Sequence, residues 1–406
     1  MNVRRALFFI FCTVTLDMLS LGLMIPVLPK LVLSFMGGDT AGAAKMFGLF
    51  ATVWGLMQFF SSPLLGALSD RYGRRPVILI SCLGLGLDYI FMAVAPSLTL
   101  LFVGRVISGI TAATVTTAFA YITDITAPEN RARAFGMVGI AFSVGFVLGP
   151  AAGGLLASVE PRLPFWASAA ACLANAAFGW FVLPESLPAD RRMAFSWARA
   201  NPVGSFRLLS RHIQLIGLGA AGFLAQFAHQ VLPSVFVLYA AYRYGYGESM
   251  VGITLGFVGI CSGIVQGLLT GPFIVRFGER SALVGGLLAA AVGMAMYGLA
   301  PTGWAFWCGV PVMALWGLSG PATLSIMTRL VSPSEQGQLS GANTSLASIA
   351  GLVAPGIFTP AFAHYLKELP GLPFLLAAAV LLLAAVIGWA VTRRPIKSRS
   401  AGGLPR

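Results

Sequence analysis

Three charged residues lie inside long apolar runs of this sequence: Asp17, Asp88 and Arg105. A charge at the centre of a membrane helix costs roughly 2.5–3.5 kcal/mol on insertion scales, so such residues normally face a cavity, a partner or an ion path. Asp88 and Arg105 stand at equal distances from the turn around Pro96 and Ser97. At about 1.5 Å per residue both sit about 10–13 Å inside one boundary, which leaves an ion pair across neighbouring helices geometrically open. That pair reads either as a static bridge or as an element of coupling. Asp17 is about 16 Å deep, near the midplane, and has no partner close by in sequence. A carboxyl so placed is suited to exchanging a proton or holding a cationic group, with a capped structural role as the alternative.

The elements that must position these residues are membrane helices. Of 406 residues 57% are hydrophobic and 10% charged, against about 25% charged in soluble proteins. Apolar runs at 6–29, 46–68, 76–95, 98–123, 134–158, 163–183, 213–240, 250–272, 281–300, 304–330, 338–362 and 370–392 are each long enough to cross a bilayer. The expected fold class is therefore an all-α polytopic membrane protein with twelve transmembrane helices. The first run follows Arg4 and Arg5 as a signal peptide would, but it continues through Pro29 without a small-x-small cleavage site and reads as a retained span. With an even number of spans both termini share one side. Twenty Lys and Arg residues fall on that side and five (Lys30, Lys45, Arg162, Arg243, Lys367) on the other, which makes the terminal side cytoplasmic. The net charge of +13 is thus spread over short loops, and no nucleic-acid partner is expected. Cys12, Cys82, Cys172, Cys261 and Cys308 all fall within spans, without disulfide or zinc spacing, so no metal is expected.

The longest polar stretch divides the spans six and six. The expected organisation is a six-helix bundle over 1–184, a cytoplasmic linker over 185–212, a second bundle over 213–394 and a basic tail over 395–406. Gly66, Gly73, Pro128, Gly136 and Pro150 recur 205 residues later as Gly271, Gly278, Pro333, Gly341 and Pro355. Two pseudo-symmetric bundles in parallel orientation suit transport by alternating access, with a substrate site near the midplane; a purely structural duplication is the other reading. In the loop after span two, Gly73 permits a sharp turn, Arg71, Arg74 and Arg75 anchor the cytoplasmic edge, and Asp70 can pair with an Arg or a helix N-terminus. In span five Gly145, Gly149, Gly153 and Gly154 allow close helix approach and Pro150 a bend. Candidate substrate-facing groups are Gln226, His229 and Gln230 in span seven, Gln266 in span eight and Asn343 in span eleven. For His229 a hydrogen-bonded packing role competes equally with a ligand role.

Together the loop Gly66-Ala-Leu-Ser-Asp-Arg-Tyr-Gly-Arg-Arg75, the span-four segment Gly104-Arg-Val-Ile-Ser-Gly109 and the span-five segment Gly145 to Gly154 resemble the major facilitator superfamily. Within it the chain is most similar to the twelve-span drug/proton antiporters of the tetracycline efflux branch. Leu16-Asp17 with Gly22 to Pro29, Gly86-Leu-Asp88-Tyr89, and Tyr121 to Thr126 with Glu129, Arg131 and Arg133 carry that likeness. The resemblance implies proton-coupling roles for Asp17, Asp88 and Arg105. It implies gating roles for Asp70, Arg71, Gly73, Arg74, Arg75, Asp124, Glu129 and Arg131. It also makes the Gly-Pro segment of span five an antiporter motif, where generic helix packing is the plainer reading. The exporters of that branch carry an acid in span nine and some a histidine in span eight, where this chain has Ala290 and Ser262.

The expected function is a proton-coupled exporter of a drug-like or amphipathic molecule in a bacterial inner membrane, acting as a monomer without a cofactor and powered by the proton gradient. Uptake of a small polar metabolite and a non-transporting sensor are the alternatives. An enzyme is not expected: the chain has three histidines, no Ser/His/Asp set and no phosphate-binding loop.

Overall fold

The computed structural model describes residues 3–111, 114–126, 131–192, 213–331 and 336–393. Among these every regular element is a helix. By length and hydropathy nine helical stretches among the described residues could each cross a membrane. One of them, Glu248–Leu299, is two spans: Gly278 takes φ 82° and ψ 160°, a conformation reserved for glycine, and breaks the helix there. Leu98–Thr111 continued by Thr114–Ile125 supplies span four, and Arg131–Val159 span five. Among the described residues the spans therefore number twelve, and they coincide with the apolar runs.

Helix ends follow the local chemistry. The Asp39 carboxylate accepts the Ala41 N–H and starts span two, Thr40–Tyr72, and Thr302 Oγ1 accepts the Ala305 N–H at the start of span ten. Gly73, at φ 105°, ends span two and opens span three, Arg74–Val94, in a single residue. Span one is interrupted between Val3–Met24 and Leu28–Phe35, span seven between Ile213–His229 and Val231–Tyr244. Span eight passes through a π-helical turn, Val265–Leu269, and span ten through a 3-10 turn, Leu315–Leu318.

The chain forms two compact units. One comprises Met1–Pro202, Pro233–Ile260 and Pro355–Glu368; the other comprises Val203–Leu232, Cys261–Ala354 and Leu369–Arg406. In the first, the glycines of span five form a seam. A β-carbon at Gly149 would fall 2.7 Å from the Cα of Gly22, and one at Gly22 would fall 2.9 Å from Pro150 Cδ. Gly145 abuts Met18 and Leu19, Gly153 abuts Leu23, and Gly154, on the adjoining face, abuts Glu248 and Gly252 of span eight. Lipid supplies no hydrophobic drive between helices, so backbone approach through small residues is what joins them. In the second unit Gly293 lies against the Met313 backbone, Gly286 against Ser319, and Tyr297 stacks on Phe306 with centroids 4.1 Å apart.

Valine at Gly149 must push spans one and five apart, whereas alanine at Gly263, with nothing within 4 Å of its added carbon, meets open space. Overpacking of this kind typically costs about 1–3 kcal/mol. The expected result is that Gly149→Val melts several degrees below the unaltered protein in detergent and Gly263→Ala melts with it; equal melting of both variants would contradict the seam.

Candidate functional site: a charged core and a neutral pocket

Asp17, Asp88 and Arg105 are all enclosed by the first unit, at 7%, 2% and 8% exposure. Asp17 sits on the face of span one that meets span six. One turn to its N-terminal side Thr13 Oγ1 donates to Asn175 Oδ1 at 3.0 Å. One turn to the other side Ser168 Oγ donates to the Ser20 carbonyl at 3.2 Å, and the Cys172 thiol donates to Ser20 Oγ at 3.6 Å. The field of Asp17 reaches Cys172 and Tyr89. Tyr89 in turn lies in the field of Asp88 and Arg105.

Asp88 and Arg105 are electrostatic neighbours without a direct ion pair. Both Asp88 oxygens are buried without a hydrogen-bond partner among the described residues, as is Arg105 Nε. Arg105 instead holds its guanidinium over the Trp54 ring, 5.2 Å from the centroid, a cation–π contact that partly replaces water. A carboxyl left in this condition is expensive as an anion unless a proton or a cationic group joins it.

The loop residues form a second cluster. Arg74 reaches Asp70 Oδ1 at 2.6 Å and Asp124 Oδ2 at 3.1 Å and donates to Ser69 Oγ at 2.6 Å. Ser186 Oγ donates to Asp124 at 3.1 Å. Arg75 donates to the Trp180 carbonyl at 2.6 Å and lies over its ring, while exposed Arg71 lies over Tyr72. Glu185 completes the cluster: it accepts the N–H groups of Arg74 at 2.8 Å, Arg75 at 3.3 Å and Leu187 at 3.0 Å, capping the N-terminus of span three. Any side chain at Gly73 would collide with that carboxylate. Glu129 lies outside the described residues, and Arg131 begins span five with its side chain outside them.

The candidate substrate residues are in the second unit. Gln226 and Asn343 line one pocket of about 190 Å³, together with Trp316, Ser319 and Thr323. His229 stacks on Trp316 with centroids 4.1 Å apart and planes 14° apart. Gln230 lies against Gly351, and Gln266, exposed on the π-turn, lies against Gly317. Ala290 is fully buried in span nine.

Several of these groups carry no signal in the sequence. Asn175, Trp54 and Trp316 are single residues without a motif. Glu185 stands well over a hundred positions from the helix it caps. One missed pair did carry a signal, the constant offset: 74 + 205 = 279 and 124 + 205 = 329. Glu279 and Arg329 are ion-paired at 2.6 Å, immediately after Gly278, just as Arg74 follows Gly73. The repeat keeps the pair and inverts its signs.

The family model described as Major Facilitator Superfamily matches residues 10–355. The chain belongs to that superfamily. It is 38% identical to the tetracycline resistance protein, class C, of Escherichia coli, over 94% of this chain and 96% of that one. It is 34% identical to the class G protein of Vibrio anguillarum, over 94% and 95%. In structure it is similar to the nucleoside transporter NupG, with TM-score 0.76 at 15% identity, over 97% of this chain and all of the other. The protein is a secondary transporter of the proton-coupled drug-efflux kind and not an enzyme; nutrient uptake and sensing are not favoured.

Removing a partner from a buried ion pair typically costs about 3–5 kcal/mol, and lysine cannot reproduce the two-sided fork of arginine. Arg74→Ala is expected to cut transport more than tenfold at equal membrane abundance, and Arg74→Lys to recover only part. In the second half Glu279→Arg is expected to lower transport a few-fold and Glu279→Arg with Arg329→Glu to restore it; a double variant no better than the single one would separate this pair from function.

Proposed function

We propose that this chain exports an amphipathic, drug-like molecule of the tetracycline kind across the inner membrane of a bacterium in exchange for protons. Asp17, Asp88 and Arg105 handle the proton. The observation that carries the assignment is the enclosure of two acids and one arginine within a single helix bundle whose relatives are tetracycline resistance proteins. Asp17 lies between two layers of neutral hydrogen-bonding groups, Thr13 with Asn175 and Ser20 with Cys172, which can follow its change of charge without moving far. Arg105 is the cation that faces the Asp88 carboxyl, and Trp54 holds the guanidinium in place.

The loop cluster built on Arg74 and the pair Glu279–Arg329 act as gates at the same membrane face, which the distribution of Lys and Arg makes cytoplasmic together with both termini. Residues 1–184 and 213–394 are the two bundles, joined by 185–212 and followed by a basic tail at 395–406. The span-five segment from Gly145 to Gly154 is the seam on which the first bundle closes. Substrate is held by the second bundle through Gln226, Gln230, Gln266 and Asn343, with His229 acting through the Trp316 ring on which it stacks. Small molecule, protons and lipid are the partners of a monomer. The gradient is the energy source, with no cofactor. With Ala290 and Ser262 in spans nine and eight, proton handling rests on the first bundle.

Proteoliposomes with an imposed pH gradient test this directly. The unaltered protein is expected to accumulate tetracycline only with the gradient present; Asp17→Asn is expected to abolish accumulation and Asp88→Asn to reduce it at least tenfold. Full retention of gradient-driven transport by Asp17→Asn would overturn the proton assignment.

A further inference from the structure

Within the second unit Trp316 has an indole Nε1–H that is buried and has no hydrogen-bond partner among the described residues. An unmet buried donor costs free energy in the empty protein, and a ligand acceptor that reaches it recovers that cost. The ring belongs to the 3-10 turn Leu315–Leu318 inside span ten and lines the pocket. One of its faces is covered by the stacked His229 ring, so its orientation is set by span seven. Two further groups shape what the pocket accepts. Ser319 Oγ and Thr323 Oγ1 donate their hydrogens to the carbonyls of Trp316 and Ser319, at 2.8 and 2.7 Å, leaving their oxygens as acceptors. Among the described residues the Asn343 amide has only Met327 Sδ at 3.8 Å, a weak acceptor, and Gln226 stands in the same wall.

Among the described residues, none that lines this pocket carries a formal charge. Its 190 Å³ is below the roughly 300–1,000 Å³ of a whole drug site, so it receives one edge of a ligand.

We propose that Trp316, held by His229, is a specificity-determining donor that selects an uncharged, planar ligand edge bearing carbonyl and hydroxyl groups. The inference rests on the reading of the chain as a drug exporter and adds to it the chemistry of one subsite. His229 acts through the indole and is a positioning residue. Carbonyls of the ligand edge take the indole and amide N–H groups, and its hydroxyls meet Ser319 and Thr323.

The test is equilibrium binding to the full chain in lipid nanodiscs, without any gradient, using tetracycline as the acceptor-bearing probe and ethidium as a planar cation without carbonyl acceptors. Trp316→Phe keeps the ring and removes the donor. It is expected to weaken tetracycline about fivefold or more, the worth of one buried hydrogen bond, to leave ethidium unchanged, and to leave the melting temperature of the empty protein unchanged or raised. His229→Ala is expected to weaken tetracycline as well, and His229→Phe, which restores a stacking partner, to recover it. Tetracycline affinity indifferent to Trp316→Phe, equal weakening of both probes, or an unaltered protein that binds ethidium but not tetracycline would each overturn the proposal. Failure of the exporter reading shows separately, as absence of gradient-driven transport in the proteoliposome measurement.

Discussion

A charge inside a bilayer must be enclosed by protein, because hydrocarbon supplies neither water nor counter-ions. In this chain that constraint concentrates the buried charge in the first bundle. Asp17 is placed between Thr13–Asn175 and Ser20–Cys172, and Arg105 is laid over Trp54. The enclosure depends on how closely span five approaches span one. With Gly145, Gly149 and Gly153 pressed on Met18, Gly22 and Leu23, the side of span one beyond Asp17 is covered by backbone, and the carboxyl is left facing span six and Tyr89. A bulkier seam would open that side and weaken the field by which Asp17, Tyr89, Asp88 and Arg105 sense one another.

The two halves use one backbone plan for different work. Gly73 and Gly278 both take positive φ, and each is followed by a charged residue paired to the end of a neighbouring helix, Arg74 to Asp124 and Glu279 to Arg329. Attraction is indifferent to which partner carries which sign, so the pair persists where its residues have exchanged character. The first-half version is the more elaborate, because Arg74 also serves Asp70 and Ser69, and Glu185 caps the helix it begins. Away from these edges the interiors diverge. The first bundle encloses ionisable groups, whereas the pocket of the second is lined mainly by Leu, Ala, Gly, Phe and Met, with amides, hydroxyls and an indole set among them. On the proposed function, that division lets one bundle respond to protons while the other holds the ligand.

How much of this was legible in the sequence differs from level to level. The twelve spans were readable because each is a local property: an apolar run of sufficient length must be helical in lipid. The break near residue 278 was readable from its polar flanks, and its cause, the positive φ of Gly278, only from the backbone. The buried acids announced themselves by type, since an Asp in an apolar run is conspicuous anywhere. Trp316 did not, because a tryptophan in a membrane helix is ordinary until its N–H is found without a partner. The Asp88–Arg105 pairing shows the same limit: depth along the helix was calculable, but rotation about it was not, and the two side chains stand near each other without touching.

By itself, then, the sequence determined the number of membrane helices, the charge asymmetry of their ends, the duplicated plan and the identity of the rare intramembrane charges. Each of these follows from composition and spacing along one chain. Tertiary structure alone decided that Asp17 is layered between Asn175 and Cys172, that Glu185 caps span three, that Glu279 meets Arg329, and that His229 stacks on the Trp316 indole. Those outcomes depend on the rotation and separation of helices far apart in sequence, which are set by side-chain packing between them.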